Sequence, residues 1–555
     1  MNVLKTLFFI FLLILIFLVI FPLASLLQAS FTTTPPGVWT TKYSLDNWIG
    51  VLSRAFYYKI VLNTFLVGVG ATFLCTVMGL SLAWIISKTN VPYASTLMQL
   101  VTVPFYIPPF VGAIAWVTLF GPEAGFINYV LKPIIGGPLL NIYSIPGLIL
   151  VLGLYYTPIL FLICFSAFRS VDATLEESAA MSGAGRLTTL LRITMPCILP
   201  AIAGGIILTF TLIIEDFGAS AIIGMPSNIY VLSTYIYSLL SQTPPSYGTG
   251  TVSATILIAI TVIGVYLYTR LTRYSKRYAT IVGRIYRPKV TDLGRWKHLA
   301  FAFCICYVIL STFLPLLGLL LSSFLRYYTP TLEAFSFYNW EAVFSLPRVA
   351  RGITNTLIVA TLGATIGIFF SLFISYIVYR TDIPKRHILD YFSALPLGIP
   401  GIALASALLW VWVQVPGGLY GTIWLLMIAY ITRFLPHATR TTSSTIIQIH
   451  PELEESAMMC GASRLRSIRS IVIPLAKYGL LSGWILLYIM FTREIACSIL
   501  LYSTESIVLP VVIFNMWEAG SAGMMSALSI IQIVMIFLPL FIVYKLTRRF
   551  AYYGW

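Results

Sequence analysis

Glu177-Ser178-Ala179-Ala180-Met181-Ser182-Gly183 and Glu455-Ser456-Ala457-Met458-Met459-Cys460-Gly461 are two versions of one segment, 278 positions apart. Each is followed after nine residues by Ile-x-x-Pro, Ile193 to Pro196 and Ile471 to Pro474, so Glu, Ala, Gly, Ile and Pro keep register across the copies. Both segments are small and polar-edged. The chain around them is 59% hydrophobic and 9% charged, with a mean hydropathy of +0.92. A soluble domain carries about 25% charged residues, so this chain cannot cover its surface in water. Its apolar runs of about twenty residues predict membrane-spanning helices.

Outward from the two segments the halves continue to match. Asn63-Thr64 corresponds to Asn355-Thr356, Lys88-Thr89-Asn90-Val91-Pro92 to Arg380-Thr381-Asp382-Ile383-Pro384, and Pro104 to Pro396, all at an offset of 292. The fall from 292 to 278 puts 14 extra residues in the first half, expected in the Gly/Pro-rich loop Gly121–Pro138. Spans are expected at Thr6–Leu27, Ile60–Ser87, Leu97–Phe120, Ile142–Phe168, Ile198–Ile214 and Val252–Tyr268. The first reads as a retained span, because its apolar core exceeds that of a signal peptide. The pattern begins again at Leu299–Leu321, Ile353–Tyr379, Ile388–Val413, Leu419–His437, Tyr478–Leu501 and Met524–Leu546. The expected fold is therefore an all-α integral membrane protein of about 12 transmembrane helices. Its two units, 1–285 and 286–555, each have six spans. An even count gives both the same orientation, a parallel repeat.

Charge sets the expected orientation. The net charge of +16 could suggest nucleic acid, but the basic residues collect in short loops between apolar segments. The linker Arg270 to Lys297 alone holds nine basic residues against Asp292. The positive-inside rule then puts both termini and both repeated segments in the cytoplasm. In each copy, the Ala and Gly four apart are expected to form a small-residue patch on one face of a short helix. Glu176-Glu177 and Glu454-Glu455 lie near its start, where a helix favours negative charge. Pro196 and Pro474 mark the turn into the next span.

The spacing Glu-x-Ala-x-x-x-Gly, nine residues, Ile-x-x-Pro resembles the EAA loop of the permease subunits of binding-protein-dependent ABC importers. The resemblance covers nearly the whole chain, with the loops at about 169–197 and 441–475; Ser178 and Ser456 replace the family's usual alanine. It implies a type I importer permease-like fold in a bacterial inner membrane. It also implies two copies of a cytoplasmic ATP-binding subunit and an extracytoplasmic solute-binding protein. Glu177, Ala179 and Gly183 would meet one ATPase copy, and Glu455, Ala457 and Gly461 the other. The fused arrangement is most similar to ferric-iron permeases, with thiamine and 2-aminoethylphosphonate permeases built similarly.

No Gly-x-x-x-x-Gly-Lys-Ser/Thr loop occurs in the sequence, so ATP and Mg would be held by the partner subunits and no cofactor by this chain. No metalloprotease, hydrolase or His/Cys metal motif occurs either, and a transport subunit rather than an enzyme is expected. The histidines 298, 387, 437 and 450 read as solvated or interfacial, and the close pair Cys304 and Cys306 as packing.

The remaining informative residues are Glu215, Asp216, Arg433, Arg493 and Glu494, charges in or beside apolar spans. Such charges usually face a protein interior or a water-filled path. Two readings stand: they line the outer half of a pathway or its gate, or Glu215 and Asp216 pair with Arg493 to join the halves or simply reach the interface. The alternative function is a secondary active transporter, which also uses repeats and midplane charges.

Overall fold

Helices long and apolar enough to cross a bilayer account for nine segments among the described residues, and two further crossings are bent helix pairs. The computed structural model describes residues 2–36, 42–278, 291–326, 334–415 and 418–551. The linker residues Arg284, Arg287 and Lys289 and the expected boundary at 285/286 lie outside them. A further helix, Ile423–Gln448, has the length at 26 residues but is not among these apolar segments. Arg433, His437 and Arg440 dilute its apolar character. It overruns the expected end at His437 by three turns, so this histidine sits within the helix, half-buried beside Phe434, and not at a solvated edge.

The repeat is visible residue by residue. Ala55–Lys88 and Pro347–Arg380, each of 34 residues, stand 292 apart, and Ile145–Ser170 and Ile423–Gln448 stand 278 apart. The extra residues fall between these pairs, where the first half inserts the helix Phe126–Ile135. Asn128 ties that insertion down. Its Nδ2 donates to the carbonyls of Phe120, Gly121 and Leu140 at 2.9–3.1 Å, and its Oδ1 accepts from the Leu139 and Leu140 amides.

Outward-facing apolar stripes mark the lipid side: Leu62, Leu66, Val69, Phe73 and Val77 are exposed at helical spacing. Inward faces use small or hydroxyl-bearing residues so that backbones approach closely. In the first half Cys75 Sγ donates to the Gly153 carbonyl at 3.2 Å. A Cβ at Gly79 would lie 3.1 Å from the Phe161 nitrogen. In the second half the corresponding helix pair is joined at another position, by Ser375, whose hydroxyl meets Thr442 and Ser443 at 2.7 and 3.0 Å.

Two sequence features bend the spans. At Pro108-Pro109 and Pro400-Gly401 the missing amides and fixed φ break the third crossing of each half, by 94° and 107°. Four π-turns, Ile16–Ile20, Leu190–Thr194, Ile309–Phe313 and Ile468–Val472, each end two residues before a proline: Pro22, Pro196, Pro315 and Pro474. The wider turn makes room for the proline ring without ending the helix. Two spans consequently start earlier than expected, at Leu190 and Arg464, and Tyr478–Leu501 is corrected to Arg464–Thr492. Pro196 and Pro474 lie inside helices rather than at their entry.

The first helix of each half also packs on the other half. Phe21–Ser30 lies against Gly401–Val413, and Leu314–Ser323 lies against Pro109–Phe120. The smaller core cluster joins Phe8 and Leu15 to Ile374, Ile377, Val378, Leu389 and Leu435.

Candidate functional site

Both repeated segments form short helices between spans, Ala173–Met181 and Glu452–Met459. Asp172 Oδ1 accepts the Thr174 amide at 2.8 Å, and the second copy carries Glu452, Glu454 and Glu455 in its first turn. Both conform to the positive end of the helix dipole. Each helix ends at its glycine, with φ of +82° at Gly183 and +87° at Gly461. Ala184 then donates to the Ala179 carbonyl and Ala462 to that of Ala457, both at 3.0 Å, the closing bond of a left-handed glycine cap. The expected small-residue patch is therefore corrected. Gly183 and Gly461 lie past the helix and end it, while Ala179 is buried, Ala457 is half-buried, and Glu177 and Glu455 are exposed.

Each helix exposes two large apolar side chains at matched positions. Leu175 and Leu453 are exposed, and Met181 and Met459 are 89% and 90% exposed. Flexible thioethers at matched positions suit a surface that adapts to a groove. The preceding glutamates, which the sequence reading passed over as mere N-terminal charge, turn inward: Glu176 meets Lys88 and Glu454 meets Arg380. All four residues recur in register, and that was the available signal.

The second set of residues meets where the halves join. Helix Leu190–Ile214 ends at Glu215-Asp216, and Arg464–Thr492 ends at Arg493-Glu494, each followed by a short helix that stops short of a crossing. Arg433, inside Ile423–Gln448, reaches both: its Nη1 lies 2.5 Å from Glu494 Oε1, and its Nη2 lies 3.5 Å from Glu215 Oε1. Glu494 also accepts the Cys497 amide at 2.8 Å. Asp216 accepts the Ala219 amide at 2.9 Å and the Tyr156 hydroxyl at 3.2 Å. Arg493 donates to the Phe105 carbonyl at 2.6 Å and lies over that ring. The halves are thus bridged by charge, but the expected partner is corrected: Arg433, not Arg493, forms the ion pair with Glu215.

Gly401 makes this arrangement possible. A Cβ there would fall on the Arg433 guanidinium. Gly401, Phe105 and Tyr156 were missed in the sequence; the signal for the first was the Gly398-Ile399-Pro400-Gly401 break inside an apolar run. Three carboxylates and two guanidinium groups, with side chains mostly buried, form a network suited to holding two surfaces together and releasing them. Among the described residues no group of three or more His, Cys, Asp or Glu is placed to hold a metal.

Similarities to known proteins agree with this architecture. Residues 75–277 and 363–552 each match the family described as binding-protein-dependent transport system inner membrane component. A ferric transport system permease protein of Actinobacillus pleuropneumoniae is 23% identical over 90% of this chain and 73% of its own length. In Haemophilus influenzae, a putative ferric transport system permease protein is 23% identical over 82% of this chain and 72% of its own length. An Fe(3+)-transport system permease protein of the same organism is 22% identical over 91% and 93%. The chain belongs to the inner membrane components of binding-protein-dependent transport systems, with the family's unit present twice in tandem.

Proposed function

We propose that this chain carries both permease units of an ATP-driven importer, one within 1–285 and the other within 286–555. A small solute delivered by an extracytoplasmic binding protein passes between the halves. Two copies of a cytoplasmic ATP-binding subunit hydrolyse ATP with Mg and grip the helices Ala173–Met181 and Glu452–Met459. The observation that carries this reading is the exposed surface of those helices, which carries large apolar side chains at matched positions, Leu175 and Met181 in one and Leu453 and Met459 in the other. In a charge-rich aqueous loop such a surface is stable when a partner covers it. Glu177, Ala179 and Gly183 then belong to one docking site, and Glu455, Ala457 and Gly461 to the other. Glu215, Asp216, Arg433, Arg493 and Glu494 form the gate between the halves. Both termini are cytoplasmic, as the basic loops require.

Ferric iron is the favoured cargo, on the names of the relatives, with thiamine or 2-aminoethylphosphonate as alternatives. The test is to purify the chain together with the ATP-binding subunit encoded beside it, and to measure mass and uptake in vesicles loaded with the binding protein. A 1:2 complex that takes up 55Fe(III) only with ATP is expected. Uptake driven by an ion gradient without nucleotide would instead establish a secondary transporter.

A further inference from the structure

The helices Ala55–Lys88 and Pro347–Arg380 are clamped at both ends by contacts that recur in each half. At one end Lys88 Nζ lies 2.9 Å from Glu176 Oε1, with side chains only 4% and 13% exposed. Thr194 Oγ1 donates to the same carboxylate oxygen at 2.9 Å. In the second half Arg380 Nε lies 3.5 Å from Glu454 Oε1, with side chains 9% and 6% exposed. Tyr376 donates to Glu454 Oε2 at 2.8 Å, and Arg380 also holds the Ile446 and Ile449 carbonyls.

The far clamp lies 25 residues away in each helix, about 37 Å at 1.5 Å per residue. Asn63 Nδ2 donates to the Tyr230 carbonyl at 3.1 Å, and Thr64 Oγ1 accepts the Leu232 amide at 2.9 Å. Asn355 donates to the Glu505 and Ile507 carbonyls at 2.8 and 2.9 Å, and Thr356 accepts the Leu509 amide at 2.8 Å. These backbone groups belong to the irregular segments that follow Glu215-Asp216 and Arg493-Glu494. In apolar surroundings such groups must keep a partner. Each helix is therefore a strut, with a motif helix on one end and a gate segment on the other.

We propose that Glu176 and Glu454 are positioning residues that lock the motif helices to these struts, and that Asn63-Thr64 and Asn355-Thr356 pass strut displacement to the gate. The near clamp cannot slip without leaving a buried charge unpaired. The far clamp cannot slip without orphaning backbone groups, and the helix between them is stiff. The inference rests on the reading that ATP-binding subunits dock on the motif helices. It adds the route by which their movement reaches the outer half.

The test uses the full chain co-expressed with its ATP-binding subunit and reconstituted in lipid nanodiscs. Spin labels go on Gln242→Cys and Ala519→Cys, exposed positions just after the gate-segment helices Leu232–Ser241 and Leu509–Glu518. The exposed Cys197, Cys306 and Cys460 are replaced by serine. The label-to-label distance is read with and without ATP and vanadate. We expect a nucleotide-dependent shift in the reference chain, lost in E176Q/E454Q and in N63A/N355A while the ATP-binding subunit stays bound and hydrolyses ATP. Combining the two pairs should cause no further loss, and Lys88→Arg should keep the shift. If the charge variants do not insert, T194V/Y376F keeps every charge and should reduce the shift. A full shift in E176Q/E454Q, or failing insertion in T194V/Y376F, overturns the inference alone. A reference chain that binds no ATP-binding subunit overturns the docking reading, and this inference with it.

Discussion

Glu215→Gln isolates the contact that joins the two halves by charge. The substitution keeps the shape of the side chain and leaves Arg433 paired with Glu494 at 2.5 Å, so no guanidinium is stranded. What disappears is the attraction between Glu215 and Arg433 across 3.5 Å. At an effective dielectric constant of about 20, two unit charges at that distance attract by about 5 kcal/mol. The cost of dehydrating both groups offsets much of this, and glutamine still accepts a hydrogen bond. A net coupling of about 1–3 kcal/mol remains, a factor of about 5–150 in an equilibrium between joined and parted halves. The sign is fixed by geometry: the pair favours the joined state, so its loss favours parting. In a reconstituted complex without binding protein, E215Q should therefore raise basal ATP hydrolysis by up to that factor. A double-mutant cycle with Arg433→Met should give a coupling of the same size. A cycle energy under about 0.5 kcal/mol, the scatter of independent sites, together with unchanged hydrolysis, would refute the latch.

Other consequences follow from single residues. Gly401→Ala drives a methyl group into the Arg433 guanidinium; overpacking of this kind costs about 1–3 kcal/mol, so the thermal unfolding midpoint should fall and the slimmer R433K should recover part of it. Gly461→Val must take a φ of +87° with a β-branched side chain, a strain of about 1–3 kcal/mol. Insertion should survive in that variant while uptake and ATP hydrolysis uncouple, and normal uptake would count against docking at this turn. Asn128→Ala removes the side-chain partner of the Phe120 and Leu140 carbonyls, while the Gly121 carbonyl keeps the Gly125 amide; each group left unpaired costs about 1–3 kcal/mol. Hydrogen exchange should rise in residues 121–144 and stay unchanged in the Ile145–Ser170 helix.

How much was legible in the sequence depended on what kind of physics wrote it. Apolar runs and duplicated offsets located the helices long and apolar enough to cross a bilayer, since burial in lipid demands length and composition together. The inserted residues were assigned to their loop by arithmetic on Lys88, Arg380 and the two motifs. Helix ends were read less well at Pro196 and Pro474, because proline was taken as an entry signal. The π-turns that carry helices through these prolines leave no trace in hydropathy. The two glycines were misread for a related reason: spacing of four suggests a helical face, whereas the left-handed φ at Gly183 and Gly461 is a property of the turn. Partners across the halves were the least legible. Arg433 and Glu215 are 218 residues apart (433 − 215) and Arg493 and Phe105 are 388 apart, and no local pattern links them.

The pattern of matched and unmatched positions carries an argument of its own. At the clamps the two halves agree: Lys88 with Arg380, Glu176 with Glu454, Asn63-Thr64 with Asn355-Thr356. At the gate Asp216 still matches Glu494, but the basic positions disagree in charge, since Glu215 corresponds to Arg493 and Tyr155 to Arg433 at the same 278 offset. Two identical units about a two-fold axis bring a residue against its own copy only on the axis itself; away from it, residue i meets a different residue j and j meets i. A carboxylate on that axis would then face a carboxylate and push the units apart. Fusion into one chain removes the constraint, so one half can supply Glu215 and the other Arg433 and Arg493. The clamps work within each half and gain nothing from asymmetry, whereas an attractive contact on the axis itself requires it. Exchanging the charges of Glu215 and Arg433 should therefore be tolerated better than either single change, and equal loss in all three variants would argue against a charge-based join.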